Sequence, residues 1–320
     1  MPLVSIVIPC FNAARWIGET IESALSQDFR DLEVVVVDDG STDDSAKIIR
    51  QFGGRVTFVP QPNRGPCAAR NNGLRSAAGT LIQFLDADDL LHQRRIALML
   101  EALQAYPDAP FAGAGYRIFE SAVVPGEDIV ACPLDRKGAG VRADALTANY
   151  LPATGLFKRS FLESVGPWNE QLTRWVDFEY HARIAVLTER PFPYVDLPLY
   201  GYRQHDGPRI STHNKAHTNL DGARTSLEEA RRQLESRGPL GEREKQWLFP
   251  SYVQLARGYA KGGDGARFAK MLRAAASLSP RRAFRIKAVA AQLAAAAFGV
   301  RVASQLIERA LAPPAGARNG

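Results

Sequence analysis

The stretch TLIQFLDADDLLH, Thr80–His92, ends an apolar run in three carboxylates, Asp86, Asp88 and Asp89. The run itself reads as a strand buried on both faces. Working back toward the N-terminus, the same kind of segment recurs. LVSIVI and LEVVVV are continuous apolar runs rich in β-branched residues, and VTFV is a shorter one. Between them lie segments of helical spacing: Ala13–Ser26, Asp43–Phe52 with Ser41 or Thr42 as its cap, and Pro66–Ala78 with Pro in its first turn. A further helix is expected over Gln93–Ala105. Strand–helix alternation of this kind predicts an α/β fold, a mostly parallel sheet flanked by helices.

Downstream the pattern weakens. Phe111–Phe119 reads as a strand, Val176–Leu187 as a helix, and short strands are expected near Tyr194 and Leu199. From about Asn214 the chain reads as helical, with breaks at SRGPLGE and KGGDG, and the last residues, APPAGARNG, as disordered. This divides the 320 residues into an expected domain at 1–212 and a C-terminal helical region at 213–320.

Charge is unevenly placed. Pro280–Gly320 holds seven Lys/Arg and one Glu, which equals the whole formal net charge of +6. A basic tail points toward an anionic surface. The tail segment RRAFRIKAVAAQLAAAAFGVRVASQLIERAL leaves three outcomes open: packing on the rest of the chain, pairing of two copies as a homodimer, or contact with an anionic membrane. The low-charge run Ala288–Val300 is too short to span a bilayer. Three widely spaced cysteines, Cys10, Cys67 and Cys132, form no metal pattern and fit a reducing compartment. MPLVSIVIPC reads as a strand rather than a leader.

The acids now acquire a place. In an open parallel sheet, ligands bind beyond the carboxyl ends of the strands. Pro9–Asn12 follows the first strand, Asp38–Asp39–Gly40 the second, and Asp86–Asp89 the fourth. Two carboxylates one residue apart suit a hard cation such as Mg²⁺ or Mn²⁺, which commonly bridges to substrate phosphates. Acids after a strand also serve as plain helix caps, and from DADD alone the two readings stand level.

The ordered set VSIVIPCFNAARWIGETIESALSQ, LEVVVVDDGSTDDS and NRGPCAARNNGLRSAAGTLIQFLDADD closely resembles the family 2 glycosyltransferases, which have the GT-A fold. The resemblance covers about the first ninety residues. It implies that Pro9, Cys10, Phe11 and Asn12 line a nucleobase and ribose pocket. It implies that Asp39 accepts a hydrogen bond from the base, with Asp38, Gly40 and Ser41 beside it. Asn63, Gly65, Arg70 and Asn71 match the elements that close over the nucleotide. Asp86 reaches ribose or donor sugar, with Ala87 beside it, and Asp88 ligates Mn²⁺ or Mg²⁺ with Asp89 as support.

The segment VGPWNEQLTRWVDFEYHARI resembles the family's acceptor region and makes Asp177 the catalytic base of an inverting enzyme, with Glu179 in reserve. Val176 stands where the family has a Glu. YRQHDGPRIS resembles the family's Arg-x-His segment, implying His205 as a metal ligand or diphosphate contact and Arg203 as a phosphate contact. Trp168 and Trp175 either stack on a sugar or pack in the core. QLTRW spells the signature of processive synthases but precedes Asp177, where those enzymes have it well after the base, so one sugar per event is expected.

The implied partners are a nucleotide-sugar donor, read as a UDP-sugar, and a glycan or lipid-linked acceptor, with no nucleic acid. The implied location is cytoplasmic, with peripheral attachment at the inner face of the cell membrane left open. A nucleotidyltransferase ranks lower because PCFNAARW lacks a Gly-rich basic loop. An aspartyl-nucleophile phosphatase ranks lower because the acids follow the fourth strand. A degenerate nucleotide-sugar binder without turnover is the remaining rival.

Overall fold

The structure is a computed structural model. It describes residues 3–120, 139–142, 145–147, 151–188, 190–205, 220–298 and 300. Two compact units are present, Met1–Pro208 and Arg209–Gly320.

The first unit begins with β1 (Val4–Cys10), α1 (Ile17–Leu25), β2 (Leu32–Asp38), α2 (Ser45–Gln51), β3 (Thr57–Pro60), α3 (Pro66–Ser76) and β4 (Leu81–Phe84). These four strands lie parallel in the order β3-β2-β1-β4. Val34–Val37 and Ile6–Ile8 are almost wholly buried, because helices cover both faces. The register pairs Cys10 with Asp38, and Asp38 with Pro60. The loops after β1, β2, β3 and β4 therefore leave from one edge of the sheet, the carboxyl edge that binds ligands in such folds.

The sheet continues through β5 (Leu90–Leu91), β6 (Phe111–Glu120), β7 (Ala139–Arg142), β8 (Gly155–Lys158) and β9 (Phe192–Gln204). Here β8 runs antiparallel to β4 and β6, β6 and β9 are parallel, and β5 and β7 pair antiparallel with β9. The sheet is thus mixed rather than mostly parallel: the four strands that carry the loops are parallel, as is the β6–β9 pair, and the other pairings are antiparallel. α4 (Arg95–Ala105), α5 (Leu151–Thr154), α6 (Arg159–Val165) and α7 (Val176–Leu187) complete the unit.

Three details differ from the sequence expectation. The strands near Tyr194 and Leu199 are one thirteen-residue strand, β9. Pro198 cannot donate to the ladder, and the register against β6 shifts at that point, between Ala114 and Tyr116. α1 starts four residues later than the spacing suggests, because Ala13 to Trp16 form a turn in which Trp16 and Ile17 both donate to Ala13 O. Ser41 and Thr42 do not cap α2; they bond Asn12 instead.

The second unit holds α8 (Leu220–Glu235), α9 (Glu242–Lys261), α10 (Gly265–Leu278) and α11 (Arg282–Phe298). Each buries residues at three-to-four spacing, such as Ala223, Leu227, Ala230 and Leu234 on α8. Asp264 caps α10 by accepting from the backbone N–H of Arg267 at 2.9 Å. No helix among the described residues is long and apolar enough to cross a membrane. The expected helical start at Asn214, Cys132 and the expected disorder of APPAGARNG lie outside the described residues.

α3 crosses β1 and β2 so closely that a Cβ on Gly73 would sit 2.3 Å from Val7 Cγ1 and 3.2 Å from Val37 Cγ2. Alanine gains about 1 kcal/mol of helix propensity over glycine, but overpacking a rigid core costs about 1–3 kcal/mol. Gly73→Ala should therefore lower stability by about 1 kcal/mol in urea unfolding. A variant as stable as the parent or more so would show that the helix does not press on the sheet there.

Candidate active site

The carboxyl edge is built from interlocked loops. Asn12, at φ 49°, donates its backbone N–H to Ser41 Oγ at 3.0 Å, and its Oδ1 accepts from the Thr42 N–H at 2.8 Å. The Ser41 N–H donates to Asp38 Oδ1 at 3.2 Å. Gly40 has φ 73°, and a Cβ there would stand 2.7 Å from the Asn63 nitrogen, so the turn admits only glycine without rearrangement. Phe11 stands 48% exposed at the rim, and Pro9 behind it is half-buried.

Asp39 fastens the loop after β3. Its Oδ1 accepts from Gln61 Nε2 at 2.6 Å and from the Arg64 N–H at 2.9 Å, and its Oδ2 accepts from the Gly65 N–H at 2.8 Å. The sequence reading gave this carboxylate to a base; the structure gives it three internal donors. A carboxylate has about four acceptor sites, so one remains.

Asn71 likewise turns inward. Its Nδ2 donates to Trp168 O at 2.9 Å and to Glu170 Oε1 at 3.0 Å, and its Oδ1 accepts from the Trp168 N–H at 2.8 Å. The expected nucleotide-closing residue thus positions the loop before α7. Arg64 Nη2 donates to Glu170 Oε2 at 2.7 Å and ties the exposed Asn63–Arg64 turn to the same loop. Trp168 is buried, stacked on Tyr180 with ring centres 3.9 Å apart. Of its two readings, core packing is the one observed. Trp175 takes a left-handed backbone, φ 54°, as the chain enters α7.

Arg70 is the hub. It is buried against Trp168, its guanidinium 4.7 Å from the ring centre. Nη2 donates to Asp86 Oδ1 at 2.7 Å and lies 3.6 Å from Asp177 Oδ1. Nη1 is buried without a hydrogen-bond partner. Burial opposes the Arg70 charge, but Asp177 and Asp86 outweigh it and hold the group firmly protonated. Asp177, in the first turn of α7, has a side chain 53% open to the cleft. Surrounding protein raises its pKa, Arg70 opposes that, and Asp86 adds to it; the net direction is upward from 3.8. Val176, at the position where the family has a Glu, is buried in the core. Glu179, the reserve base, is buried and paired with Arg183, its Oε1 2.7 Å from Nε. It serves the helix rather than the cleft.

The DADD turn is held from behind. Asp89 is buried; its Oδ2 accepts from the Tyr200 O–H at 2.7 Å and its Oδ1 from the Arg203 N–H at 2.8 Å. Burial, then Asp88 and Asp86, push the Asp89 carboxyl well above its ordinary pKa. Arg203 does not reach toward a phosphate. Its guanidinium is buried between Trp16 and Phe119, donates to Asp88 O at 2.7 Å and meets Glu19 Oε2 at 2.6 Å. Ala87 is buried, and its carbonyl accepts from Thr20 Oγ1. Tyr200 and Glu19 were not legible as site residues, since their partners lie more than a hundred residues away.

Asp88 remains partly open, and His205 Nε2 lies 3.1 Å from its Oδ2. A carboxylate and an imidazole this close suit Mn²⁺ or Mg²⁺ held by few protein ligands. No cluster of three such side chains is present among the described residues. A cation there would take its other ligands from phosphate and water. Burial pushes the Cys10 and Cys67 thiols up to about 12, so neither offers a thiolate near neutral pH.

Comparison with known proteins identifies the family and the fold. Residues 5–166 match the sequence profile of Glycosyl transferase family 2. The chain belongs to that family. GlyG of Streptococcus pneumoniae is 29% identical over 224 residues, covering 66% of this chain and 73% of that protein. A Rickettsia felis glycosyltransferase is 40% identical over 103 residues, which span 32% of this chain and only 17% of its own length. Among solved structures, S. aureus TarS in complex with UDP-GlcNAc superposes with a TM-score of 0.68 at 18% identity, over 96% of this chain and 91% of that one. A mannosyltransferase of Pyrobaculum calidifontis in complex with GDP-Man and Mn²⁺ gives 0.54 at 20% identity, over 97% and 85%. These likenesses establish the GT-A fold.

Replacing Arg70 by Met leaves Asp86 and Asp177 facing each other without a counter-charge. The loss should be about 2 kcal/mol at neutral pH, below that of a fully buried pair because both carboxylates open to solvent. The sign follows from Asp177: Arg70 lowers its folded pKa, so without Arg70 that pKa rises further, and the deficit is largest above it and shrinks as pH falls through it. Urea unfolding at neutral and acid pH tests this; a deficit independent of pH would mean that Arg70 acts only through packing on Trp168.

Proposed function

We propose that this chain is an inverting glycosyltransferase that moves one sugar per event from a nucleoside diphosphate donor, read as a UDP-sugar, to a glycan or lipid-linked acceptor. The observation that carries this is the placement of one open carboxylate, Asp177, across the Arg70 hub from the DADD turn. TarS and the Pyrobaculum enzyme, each solved with a nucleotide sugar, support a donor of that class.

In this reading the rim of Phe11, Asn12 and Asp39 receives the nucleoside. Asp88 and His205 hold Mn²⁺ or Mg²⁺, which when bound neutralises the charge of the departing diphosphate. Asp86, fixed by Arg70, hydrogen-bonds the donor ribose or sugar. Asp177 accepts the proton of the acceptor hydroxyl as that oxygen bonds the anomeric carbon. The bond from that carbon to the diphosphate oxygen breaks on the opposite face, and its electron pair leaves with the nucleoside diphosphate. Attack and departure on opposite faces give inversion. The raised pKa of Asp177 makes its ionised form a better base than a free carboxylate.

The rival, a binder without turnover, draws on Val176. Since that side chain packs in the core, its substitution does not remove a group from the carboxylate cluster.

Two measurements test the proposal. Thermal shift with UDP, GDP, dTDP and CDP, each with and without Mn²⁺, should show a metal-dependent rise for one nucleotide, lost in Asp88→Ala. No rise with any nucleotide would sink the donor-site reading. In a transfer assay, Asp177→Asn should reduce kcat by about 10²–10⁴-fold with little change in nucleotide binding. Because Asp177 must be ionised, activity should be present above its pKa and fall as pH drops through it, with a midpoint above 3.8.

A further inference from the structure

α11 has two apolar faces. Phe284, Ala288 and Ala291 are buried, Phe284 meeting Phe249 of α9 edge-on at 5.0 Å. On the outer side Ile286, Val289 and Leu293 are 60%, 56% and 68% exposed. Their spacing of three and four places them in one row along the helix. Single exposed apolar residues need no explanation, but three large ones aligned on one helix face do.

The row lies in a strongly cationic setting. Arg281, Arg282, Arg285 and Lys287 sit on or before this helix, and no acid occurs from Arg281 to Val300. Arg285 and Lys287 flank Ile286 at about 100° to either side. An apolar row with Lys and Arg at its margins suits the boundary between acyl chains and anionic headgroups, where long cationic side chains reach the phosphates while the row enters the hydrocarbon edge. The helix is not a membrane span, so it would lie in the plane of the surface.

We propose that the outer face of α11 docks this protein on an anionic lipid surface. Charge complementarity selects that occupant over a second copy, because this stretch carries cations and no acid, so an anionic surface complements it while a second copy of the same face brings no opposite charge. Burial of three partly exposed side chains gives a weak, reversible attachment that depends on the cations as well. Such docking does not depend on the identity of the sugar or on turnover.

The test is sedimentation of the full chain with vesicles of phosphatidylcholine alone and of equal parts phosphatidylcholine and phosphatidylglycerol. The chain should sediment with the anionic vesicles only, and less as salt is raised. The triple variant Ile286→Ser, Val289→Ser, Leu293→Ser and the double variant Arg282→Glu, Lys287→Glu should each lose binding by about tenfold or more. Because these side chains face solvent, helicity and melting temperature should stay unchanged, and nucleotide thermal shifts should persist in both. Three results would overturn the proposal: no sedimentation of the folded parent, equal binding by the variants, or a concentration-dependent dimer that the triple variant disperses. Capture of an acidic protein without any vesicle binding would do so too.

Discussion

Four carboxylates meet at one edge of this sheet, and the structure depends on how their repulsion is contained. Asp86, Asp88, Asp89 and Asp177 come from two distant parts of the chain. Two buried arginines hold them. Arg70 stands between Asp86 and Asp177, and Arg203 grips Asp88 and Asp89 from the rear through a carbonyl and a backbone N–H. Breaking a charge network of this sort by removing one partner is far more costly than a surface ion pair suggests, because the remaining groups are left without compensation. The two arginines do different things. Arg203 ends in Glu19 and aromatic faces and makes the DADD turn rigid. Arg70 touches the open carboxylates themselves and supplies their counter-charge.

The parallel strands supply the geometry that this containment needs. Register between β1, β2 and β3 places Cys10, Asp38 and Pro60 level, so successive loops emerge together. Each loop is then fastened to another rather than to its own strand. Asn12 bonds the loop after β2, Asp39 bonds the loop after β3, and Asn71 bonds the loop before α7. Polar side chains that a ligand-centred reading assigns to substrate are used first to fix backbone. That is what a site requires if its reacting groups are to be placed before substrate arrives.

The parallel half of the sheet was legible because its strands are buried on both faces and read as unbroken apolar runs. In the half around β6 and β9 the strand Phe111–Phe119 was legible, but the continuity of β9 and the pairing order were not. Pro198 and the register shift beside Gly115 interrupt the alternation, and the pairing partners lie more than eighty residues apart. In the site, Asp88, Asp177 and His205 stand out in short motifs, and the structure puts His205 beside Asp88 and Asp177 beside Arg70. The roles of Asn71, Trp168 and Arg203 could not. Arg203 meets Glu19 across 184 positions and Asn71 meets Trp168 across 97. Nothing in a local pattern tells a buried tether from a ligand contact when both call for the same polar side chain.

The same reasoning explains why a substitution at the family's Glu position is tolerable in physical terms. A carboxylate at Val176 would enter a packed apolar core and require either a partner or protonation. With valine there, the start of α7 is anchored by burial, and the open end of the turn presents Asp177 alone. The carboxylate at that place is raised by burial, lowered by Arg70 and raised again by Asp86, so its titration is linked to that of its neighbours.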